Sequence, residues 1–171
     1  MTRPRVTIIT NGNHFSALGL TPLLARTRDS IDFQVIMTSG LRQPGKSRLS
    51  QAVRLFRRWG RRYSAYKVAV LAVPWIATSV LRRSRGLAAL ARARKVEVFG
   101  ARDVHRDPAL GAIRRFQPDL LLSFSCPYRI EASVLALARL GGLNVHSSLL
   151  PAYAGVCTYV HALAAGETTT G

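Results

Sequence analysis

Short apolar runs that alternate with helical segments set the architecture open to this chain. The apolar runs, which are predicted strands, occupy residues 6–10, 33–38, 96–99, 120–124 and 143–146. Helical patterns fall between and after them, at residues 16–25, 108–116, 131–138 and 158–165. This alternation is typical of parallel sheets that are covered by helices. We therefore expect an α/β fold with a Rossmann-like, open, mostly parallel sheet and helices on both faces.

Individual residues mark the ends of the predicted helices. Pro108 stands at the first-turn position that proline favours, with Asp107 before it as the expected cap. Gly166 stands where the end of a helix calls for a left-handed backbone. These signals predict one helix that begins at Pro108 and another that ends just before Gly166.

Residues 46–95 are predicted to form a helical, arginine-rich insertion. Arginines recur at helical spacing and share one face; they are Arg54, Arg57, Arg58, Arg61 and Arg62. Apolar residues share the opposite face; they are Leu49, Val53, Phe56, Trp59 and Tyr63. One interpretation is a helix docked on the sheet with a solvated arginine face, and the other is a surface that contacts anionic lipid. The apolar run that follows, residues 68–81, contains Pro74 and is too short to span a bilayer.

The charge balance indicates an anionic partner. The chain carries a formal net charge of +17 and a pI near 11.6, and its only lysines are at positions 46, 67 and 95. Such basicity favours phosphate groups, nucleic acid or an anionic membrane surface. Charge alone leaves the choice among these open.

Length, composition and cysteine usage are those of one intracellular domain. With 171 residues and 48% hydrophobic content, residues 1–171 are expected to form a single domain around one sizeable core. Cys126 and Cys157 indicate no disulfide framework and lack metal-ligand spacing with the histidines, so no metal site is expected. The N-terminus shows no secretory signal pattern. A cytoplasmic protein is therefore expected, with peripheral contact at the inner membrane surface if the insertion binds lipid.

The most specific chemical signal lies in residues 144–155. Asn144 and His146 are two positions apart on the last predicted strand, which we expect to be buried, so their side chains point the same way while Val145 points into the opposite layer. A loop that contains Pro151 and Gly155 follows and can fold over them. A histidine with one donor and one acceptor, beside an amide dipole, suits acyl transfer through a tetrahedral oxyanion. The alternative is a core histidine with satisfied hydrogen bonds and an asparagine that caps the strand.

Two further loops are expected at the same edge of the sheet, since ligands gather at the carboxyl ends of parallel strands. The first leads into a helix whose free N–H groups can bind an anion; it contains Asn11, Gly12, Asn13 and His14. Its alternative interpretation is a turn that needs glycine for backbone reasons. The second loop either lines a ligand pocket or simply packs; it contains Tyr128, Arg129 and Ile130.

The pattern Asn-x-His-x-Ser-Leu-Leu-Pro-x-Tyr-x-Gly at residues 144–155, followed by residues 166–171, resembles a known family. The likeness is to the N-terminal catalytic domain of the 10-formyltetrahydrofolate-dependent formyltransferases. That family includes methionyl-tRNA formyltransferase, glycinamide ribonucleotide formyltransferase and several sugar N-formyltransferases. The likeness is dense from Gln117 to Gly171, weaker upstream, and almost absent between Gly45 and Lys95.

The resemblance implies a formyl donor, 10-formyltetrahydrofolate, and a substrate amine that attacks its formyl carbon. It also implies that His146 and Asn144 stabilise the oxyanion that results. The residues implied to bind the folate are Tyr128, Arg129, Ile130, Leu149, Leu150 and Pro151. The residues implied to contact the substrate are Asn11, Gly12, Asn13 and His14.

The resemblance leaves the acceptor amine open. A sugar amine or another small amine is the favoured substrate, because the arginine-rich insertion has no recognised counterpart in methionyl-tRNA formyltransferase. High basicity is also what a tRNA-binding protein shows, so a methionyl-tRNA formyltransferase-like protein is the first alternative. The second is a non-catalytic module that binds folate, lipid or RNA.

One catalytic residue of the family does not match any position here. The family's aspartate, which orients the histidine, falls beyond Gly171, and Glu167 matches a helix-to-strand turn instead. The resemblance therefore implies a C-terminally incomplete domain with impaired catalysis. It also implies an uncovered sheet edge through which copies of the chain can associate.

Overall fold

The computed structural model describes the sheet and the helices that cover it. Described residues are 2–12, 14–27, 29–38, 87–155 and 158–170, with positions 53, 56–57, 60–62, 64–66 and 68–69 between them. The predicted insertion at 46–95 therefore lies largely outside the described residues. Its described positions from 53 to 69 are helical.

Five parallel strands form one sheet. They are β1 (Arg5–Thr10), β2 (Asp32–Thr38), β3 (Glu97–Ala101), β4 (Leu120–Phe124) and β5 (Gly142–Val145). Their order is β3-β2-β1-β4-β5, and every neighbouring pair is parallel. The helices with described bounds are α1 (His14–Arg26), α2 (Leu87–Ala93), α3 (Ala109–Phe116), α4 (Ala132–Leu135) and α5 (Thr158–Ala164). The predicted α/β fold with an open parallel sheet is confirmed.

Each face of the sheet carries its own apolar core, because successive strand residues point to opposite sides. One core joins Ile9 of β1 to Ile113 of α3. The other joins Ile8 of β1 to Leu20 of α1 and Leu87 of α2. These five side chains are at most 1% exposed. Helices thus cover both faces of the central strands.

The start of α3 corrects one predicted detail. Pro108, not Asp107, occupies the N-cap position, and the helix begins at Ala109. The Asp107 carboxylate still accepts a hydrogen bond from the first turn of the helix, since the Gly111 N–H donates to its Oδ1 at 2.8 Å. At the other predicted boundary, Gly166 has the left-handed φ of +78° expected after α5.

Helix α4 is shorter than the predicted helix at residues 131–138. It ends at Leu135, and the chain continues in tight turns in which Ala138 N–H donates to Leu135 O at 3.1 Å. Leu140 N–H then donates to Asp119 O at 2.8 Å, beside the start of β4. The return to the sheet therefore ends the helix early, which local periodicity cannot predict.

Strand β5 is an exposed strand, whereas the sequence predicted a buried one. Among the described strands it pairs only with β4, and all four of its residues are exposed. Leu143 and Val145 are 61% and 50% exposed, because β5 lies at the edge of the sheet. A short apolar run predicts a strand but does not distinguish an edge position from a central one.

The described apolar residues of the insertion are also exposed. Val53 and Phe56 are 44% and 49% exposed, and Arg57, Arg61 and Arg62 are exposed beside them. Burial of the apolar face, expected for a helix docked on the sheet, is not observed at these two positions. Within the described part of the chain, no helix is long and apolar enough to cross a membrane.

Candidate functional site

Four loops lie together at the end of the sheet that is formed by the carboxyl ends of the parallel strands. The loops are residues 11–12 after β1, 102–107 after β3, 125–130 after β4 and 146–155 after β5. The predicted site positions that the structure describes fall in or next to these loops. Asn144 is the one that lies within a strand.

Gly12 shapes the loop after β1. Its φ is +64°, and a Cβ at this position would collide with Met37 Cε. Its N–H donates to Thr10 Oγ1 at 3.2 Å, which closes the turn. The backbone reason for a glycine, which the sequence offered as an alternative, is therefore present.

The remaining predicted substrate contacts are only partly described. Asn11 Oδ1 accepts a hydrogen bond from Ser16 Oγ, in the first turn of α1, at 3.1 Å. Asn13 and the His14 side chain lie outside the described residues. Substrate contact by these residues remains a prediction.

The loop after β4 holds Tyr128, Arg129 and Ile130, of which only Arg129 is exposed. Tyr128 and Ile130 pack against the core beneath α3. The Tyr128 hydroxyl accepts the backbone N–H of Val104 at 3.0 Å. Burial raises the pKa of Tyr128 to about 12, so the hydroxyl is neutral at physiological pH. Arg129 is therefore the side chain of this trio most open to a ligand.

A carboxylate–imidazole pair in the loop after β3 was missed by the sequence analysis. His105 Nδ1 lies 2.7 Å from Asp103 Oδ1, which also accepts the His105 backbone N–H at 2.9 Å. Glu131 N–H donates to His105 Nε2 at 3.1 Å, so the Nδ1 atom carries the proton. The backbone hydrogen bond from His105 is the main cause that lowers the pKa of Asp103. The pair ties this loop to the N-cap of α4, directly after Ile130.

His146 follows β5 directly and is half-buried. Its Nδ1 lies 2.8 Å from Ser148 Oγ. That hydroxyl also donates to the carbonyl oxygens of Ala152 and Tyr153, at 3.1 and 3.3 Å. Carbonyl oxygens can only accept, so with the single hydroxyl proton directed at them we assign Nδ1–H of His146 as the donor to Ser148 Oγ. The neutral ring then keeps its lone pair on Nε2, which has no hydrogen-bond partner within the described residues.

Asn144 is exposed and lies opposite Ser123 of β4. The register places Asn144 on the face of the sheet that carries Ile9, while Val145 lies on the other face. The predicted separation of Asn144 and Val145 onto opposite layers is therefore observed. Asn144 reaches solvent because β5 is at the edge.

Hydrogen bonds fix the loop after β5 to the segment that follows it. Thr158 Oγ1, at the start of α5, donates to Ser147 O at 3.0 Å, and Thr170 Oγ1 donates to the same oxygen at 2.8 Å. Tyr153 Oη donates to Glu167 Oε1 at 3.0 Å. Glu167 thus holds the loop through Tyr153.

The loop exposes an apolar surface between these anchors. Leu149 and Leu150 are 62% and 53% exposed, and Pro151 is exposed as well. Cys126 lies within the loop after β4, where burial raises the pKa of its thiol. A thiol with a raised pKa is protonated at neutral pH and is a poor nucleophile. Within the described residues, no cluster of histidine, cysteine and acidic side chains is suited to a metal ion.

Sequence comparison adds independent information on the family. The profile described as formyl transferase matches residues 65–171. Methionyl-tRNA formyltransferase from Chlorobium phaeovibrioides is 44% identical over 68 residues, which are 39% of this chain and 21% of that protein. The match thus spans about a fifth of the length of this relative.

Solved structures share the fold across nearly the whole chain. Phosphoribosylglycinamide formyltransferase from Bacillus halodurans matches with a TM-score of 0.58 and 14% identity, over 98% of this chain and 68% of that one. Glycinamide ribonucleotide transformylase 1 from Symbiobacterium toebii matches with a TM-score of 0.59 and 16% identity, over 99% and 63% of the two chains. At such identities the likeness establishes the fold alone.

The family profile covers more than half of the chain, and the fold matches that of those solved structures. The chain therefore belongs to the formyl transferase family, as the pattern at residues 144–155 predicted.

Proposed function

We propose that this protein transfers a formyl group from 10-formyltetrahydrofolate to a substrate amine. Family membership supports the reaction type. The observation that carries the proposal for this chain is the state of His146, whose Nδ1 is held by Ser148 while Nε2 stays open. Asn144 lies two positions earlier and is also exposed. A fixed imidazole near an amide dipole is suited to a tetrahedral oxyanion.

The proposed reaction begins when the amine nitrogen attacks the formyl carbon. A carbon–nitrogen bond forms, and the carbonyl electron pair moves onto oxygen. The Asn144 amide donates a hydrogen bond to that oxyanion. His146 accepts the amine proton at Nε2. The electron pair of the oxyanion then re-forms the carbonyl as the carbon–N10 bond breaks, and His146 gives its proton to N10 of the folate. While protonated, His146 also stabilises the oxyanion.

The donor is proposed to lie between the loops after β4 and β5. The exposed Arg129 guanidinium can meet the carboxylate tail of the folate. Leu149, Leu150 and Pro151 supply the exposed apolar surface that a flat ring needs. Tyr128 and Ile130 hold the loop in place through their packing, so its backbone is available to the edges of the ring.

The acceptor is proposed to lie near the loop after β1, beside Asn11 and Gly12. On the sequence argument we favour a sugar amine or another small amine. Methionyl-tRNA is the second candidate, and it is favoured by the 44% identity to a methionyl-tRNA formyltransferase and by the net charge of +17. Both acceptors require the same His146 and Asn144 chemistry.

Donor binding is the sharper first test, because it does not depend on which amine accepts the formyl group. The 171-residue chain is titrated with 10-formyltetrahydrofolate by calorimetry. Leu149→Ser is expected to weaken binding about tenfold, since it removes an apolar wall. Leu163→Ser, which changes another exposed leucine (71% exposed) on α5, is the matched control and should bind as the wild type does. Absence of saturable binding to the wild type would contradict the proposal.

Formyl transfer is then measured with an amino sugar nucleotide, glycinamide ribonucleotide and methionyl-tRNA as acceptors. His146→Ala and Asn144→Ala are each expected to lower the rate about 100-fold while donor affinity changes little. Transfer to methionyl-tRNA alone would reverse the favoured acceptor. Donor binding without transfer to any amine would support a non-catalytic folate-binding module instead.

Contact with an anionic membrane surface, from a cytoplasmic location, is proposed as a secondary property. Exposed Arg57, Arg61 and Arg62 lie beside exposed Val53 and Phe56, a composition that suits the interface of a bilayer. Phosphatidylglycerol vesicles should sediment the wild type at low salt but not the Arg57→Glu/Arg61→Glu variant. No sedimentation of the wild type would contradict this property and leave the formyl transfer proposal intact.

Self-association through β5 is a further proposal, because its outer edge has no partner strand among those described. Analytical ultracentrifugation tests it. A concentration-dependent dimer that is abolished by Val145→Lys would support it, whereas a monomer at all concentrations would contradict it.

A further inference from the structure

A second concave surface lies at the amino ends of the strands, which is the end of the sheet opposite the candidate site. It is a cleft of about 460 Å³, bordered by Arg5 at the start of β1 and Asp119 just before β4. Arg114 of α3, Gln117 and Arg139, in the turns after α4, complete its polar rim. Three arginines therefore line one cleft that holds a single carboxylate.

The carboxylate in this cleft is already occupied by protein groups. Asp119 Oδ2 accepts the backbone N–H of Arg5 at 2.8 Å, and its Oδ1 accepts Nε–H of Arg139 at 3.1 Å. These bonds, the first of them above all, lower the pKa of Asp119. Asp119 thus positions Arg139 and leaves both of its Nη groups available to a ligand.

The Arg5 guanidinium acts on Asp119 only through its charge, which also lowers the pKa of that carboxyl, and Arg114 has no such partner among the described residues. Within the described part of the chain, no hydrogen bond or ion pair is formed by the side chain of Arg5 or of Arg114. The cleft therefore keeps a surplus of positive charge in a chain whose overall charge is already +17. A guanidinium group binds phosphate oxygens through two parallel hydrogen bonds. The single carboxylate of the cleft cannot form such pairs of hydrogen bonds with all three arginines.

Apolar residues form the remaining wall of the cleft. Pro118, which is buried, and Leu137, which is half-buried, line it together with the arginines. Volumes from about 300 to 1,000 Å³ are typical of pockets for small molecules. A purely inorganic anion would leave the apolar wall without a contact.

We propose that this cleft binds a small organic phosphate, such as a nucleotide, with its phosphates on Arg5, Arg114 and Arg139 and its organic part against Pro118 and Leu137. The cleft is distinct from the proposed formyl transfer site. Arg5 begins the six-residue strand β1 and Asn11 follows its last residue, so the two are about 20 Å apart along the strand. Neither the formyl donor nor its acceptor in the proposed reaction occupies this cleft.

Calorimetric titration of the whole chain with ADP and with pyrophosphate tests the proposal. Arg114→Ala and Arg5→Ala should each weaken ADP binding about tenfold, because each removes a charge-assisted contact. Arg5→Ala leaves its backbone N–H to Asp119 in place, so the cleft keeps its shape. Arg92→Ala, which removes an exposed arginine at the end of α2, is the matched charge control.

Supporting results are saturable ADP binding that is tighter than pyrophosphate binding, weakened by the two cleft variants and unchanged in Arg92→Ala. An equal loss in Arg92→Ala would show attraction to overall charge and overturn the site. Equal affinity for ADP and pyrophosphate would overturn the apolar contact, and so would binding of heparin or tRNA without binding of ADP. Loss of ADP binding in His146→Ala would place the ligand in the formyl transfer site instead.

Discussion

Gly12 lies so close to Met37 that a Cβ at position 12 would overlap the Met37 methyl group. The same glycine has a φ of +64°, a conformation that residues with a Cβ avoid. Two constraints therefore act at the turn that begins the proposed substrate loop. The contact with Met37 costs less free energy than the left-handed backbone, because a methionine side chain can move aside whereas the backbone of the turn cannot.

Gly12→Ala is expected to lower the free energy of unfolding by about 1–2 kcal/mol, which is the cost of a left-handed backbone for alanine. Gly12→Asn should lower the free energy of unfolding by a smaller amount, since asparagine tolerates that conformation. Gly100→Ala in β3 is the control, because its Cβ would meet no atom within 4 Å and its φ is not left-handed. Urea denaturation measures all three, and equal stability of Gly12→Ala and the wild type would show that the turn is not strained.

The central strands were the most predictable part of the fold. The predicted ranges for β1, β2 and β4 agree with the observed strands to within one residue. These strands are covered on both faces, so apolar residues dominate them, although the buried Thr7 and Gln34 interrupt the runs. β5 has a similar run, but its exposure depends on its place at the edge of the sheet. That place is a tertiary property that four residues of sequence do not encode.

The candidate site shows the same division between local and tertiary information. The alternation of strand residues placed Asn144 on a layer opposite Val145, and the register bears this out. The Asp103–His105 pair was missed, because its partner is the backbone of Glu131, 26 residues further along the chain. The spacing Asp-x-His within a loop was the one local signal, and two polar residues at that spacing do not by themselves predict a hydrogen-bonded pair.

The hydrogen bond between Ser148 and His146 predicts the tautomer of the histidine. Wild-type His146 should carry its proton on Nδ1 when neutral, because Ser148 donates its own proton to a backbone carbonyl. In Ser148→Ala the ring loses this partner, and the proton should shift toward Nε2, the form that predominates in free histidine. Nitrogen NMR of the imidazole distinguishes the tautomers without any assay of activity.

Ser148→Ala should also lower the rate of formyl transfer about tenfold with little change in donor affinity, since only the orientation of the ring is affected. Ser133→Ala, on the exposed side of α4, is the control and should behave as the wild type does. A wild-type imidazole protonated on Nε2 would contradict the hydrogen-bond assignment.

Tyr128→Phe is expected to destabilise the fold by about 1–2 kcal/mol, because Val104 N–H would lose the hydroxyl that accepts its hydrogen bond. Val104 itself is fully buried, so water replaces the hydroxyl poorly. Tyr153→Phe is the matched control, since it removes a hydroxyl that bonds Glu167 at the surface. Urea denaturation should show a loss below about 0.5 kcal/mol for the control. Equal losses in the two variants would show that Val104 does not depend on Tyr128.

Alkaline titration provides a separate test of the environment of Tyr128. Burial raises its pKa from 10.0 to about 12, so the folded state binds the proton more tightly than the unfolded state does. The stability that this group contributes is therefore complete below pH 10 and is lost as the pH rises from 10 to about 12. The absorbance of tyrosinate near 295 nm, taken as wild type minus Tyr128→Phe, should rise with a midpoint near 12 while circular dichroism still reports a folded chain. A midpoint near 10 in the folded protein would show that the hydroxyl is open to water and would remove the basis for its bond to Val104.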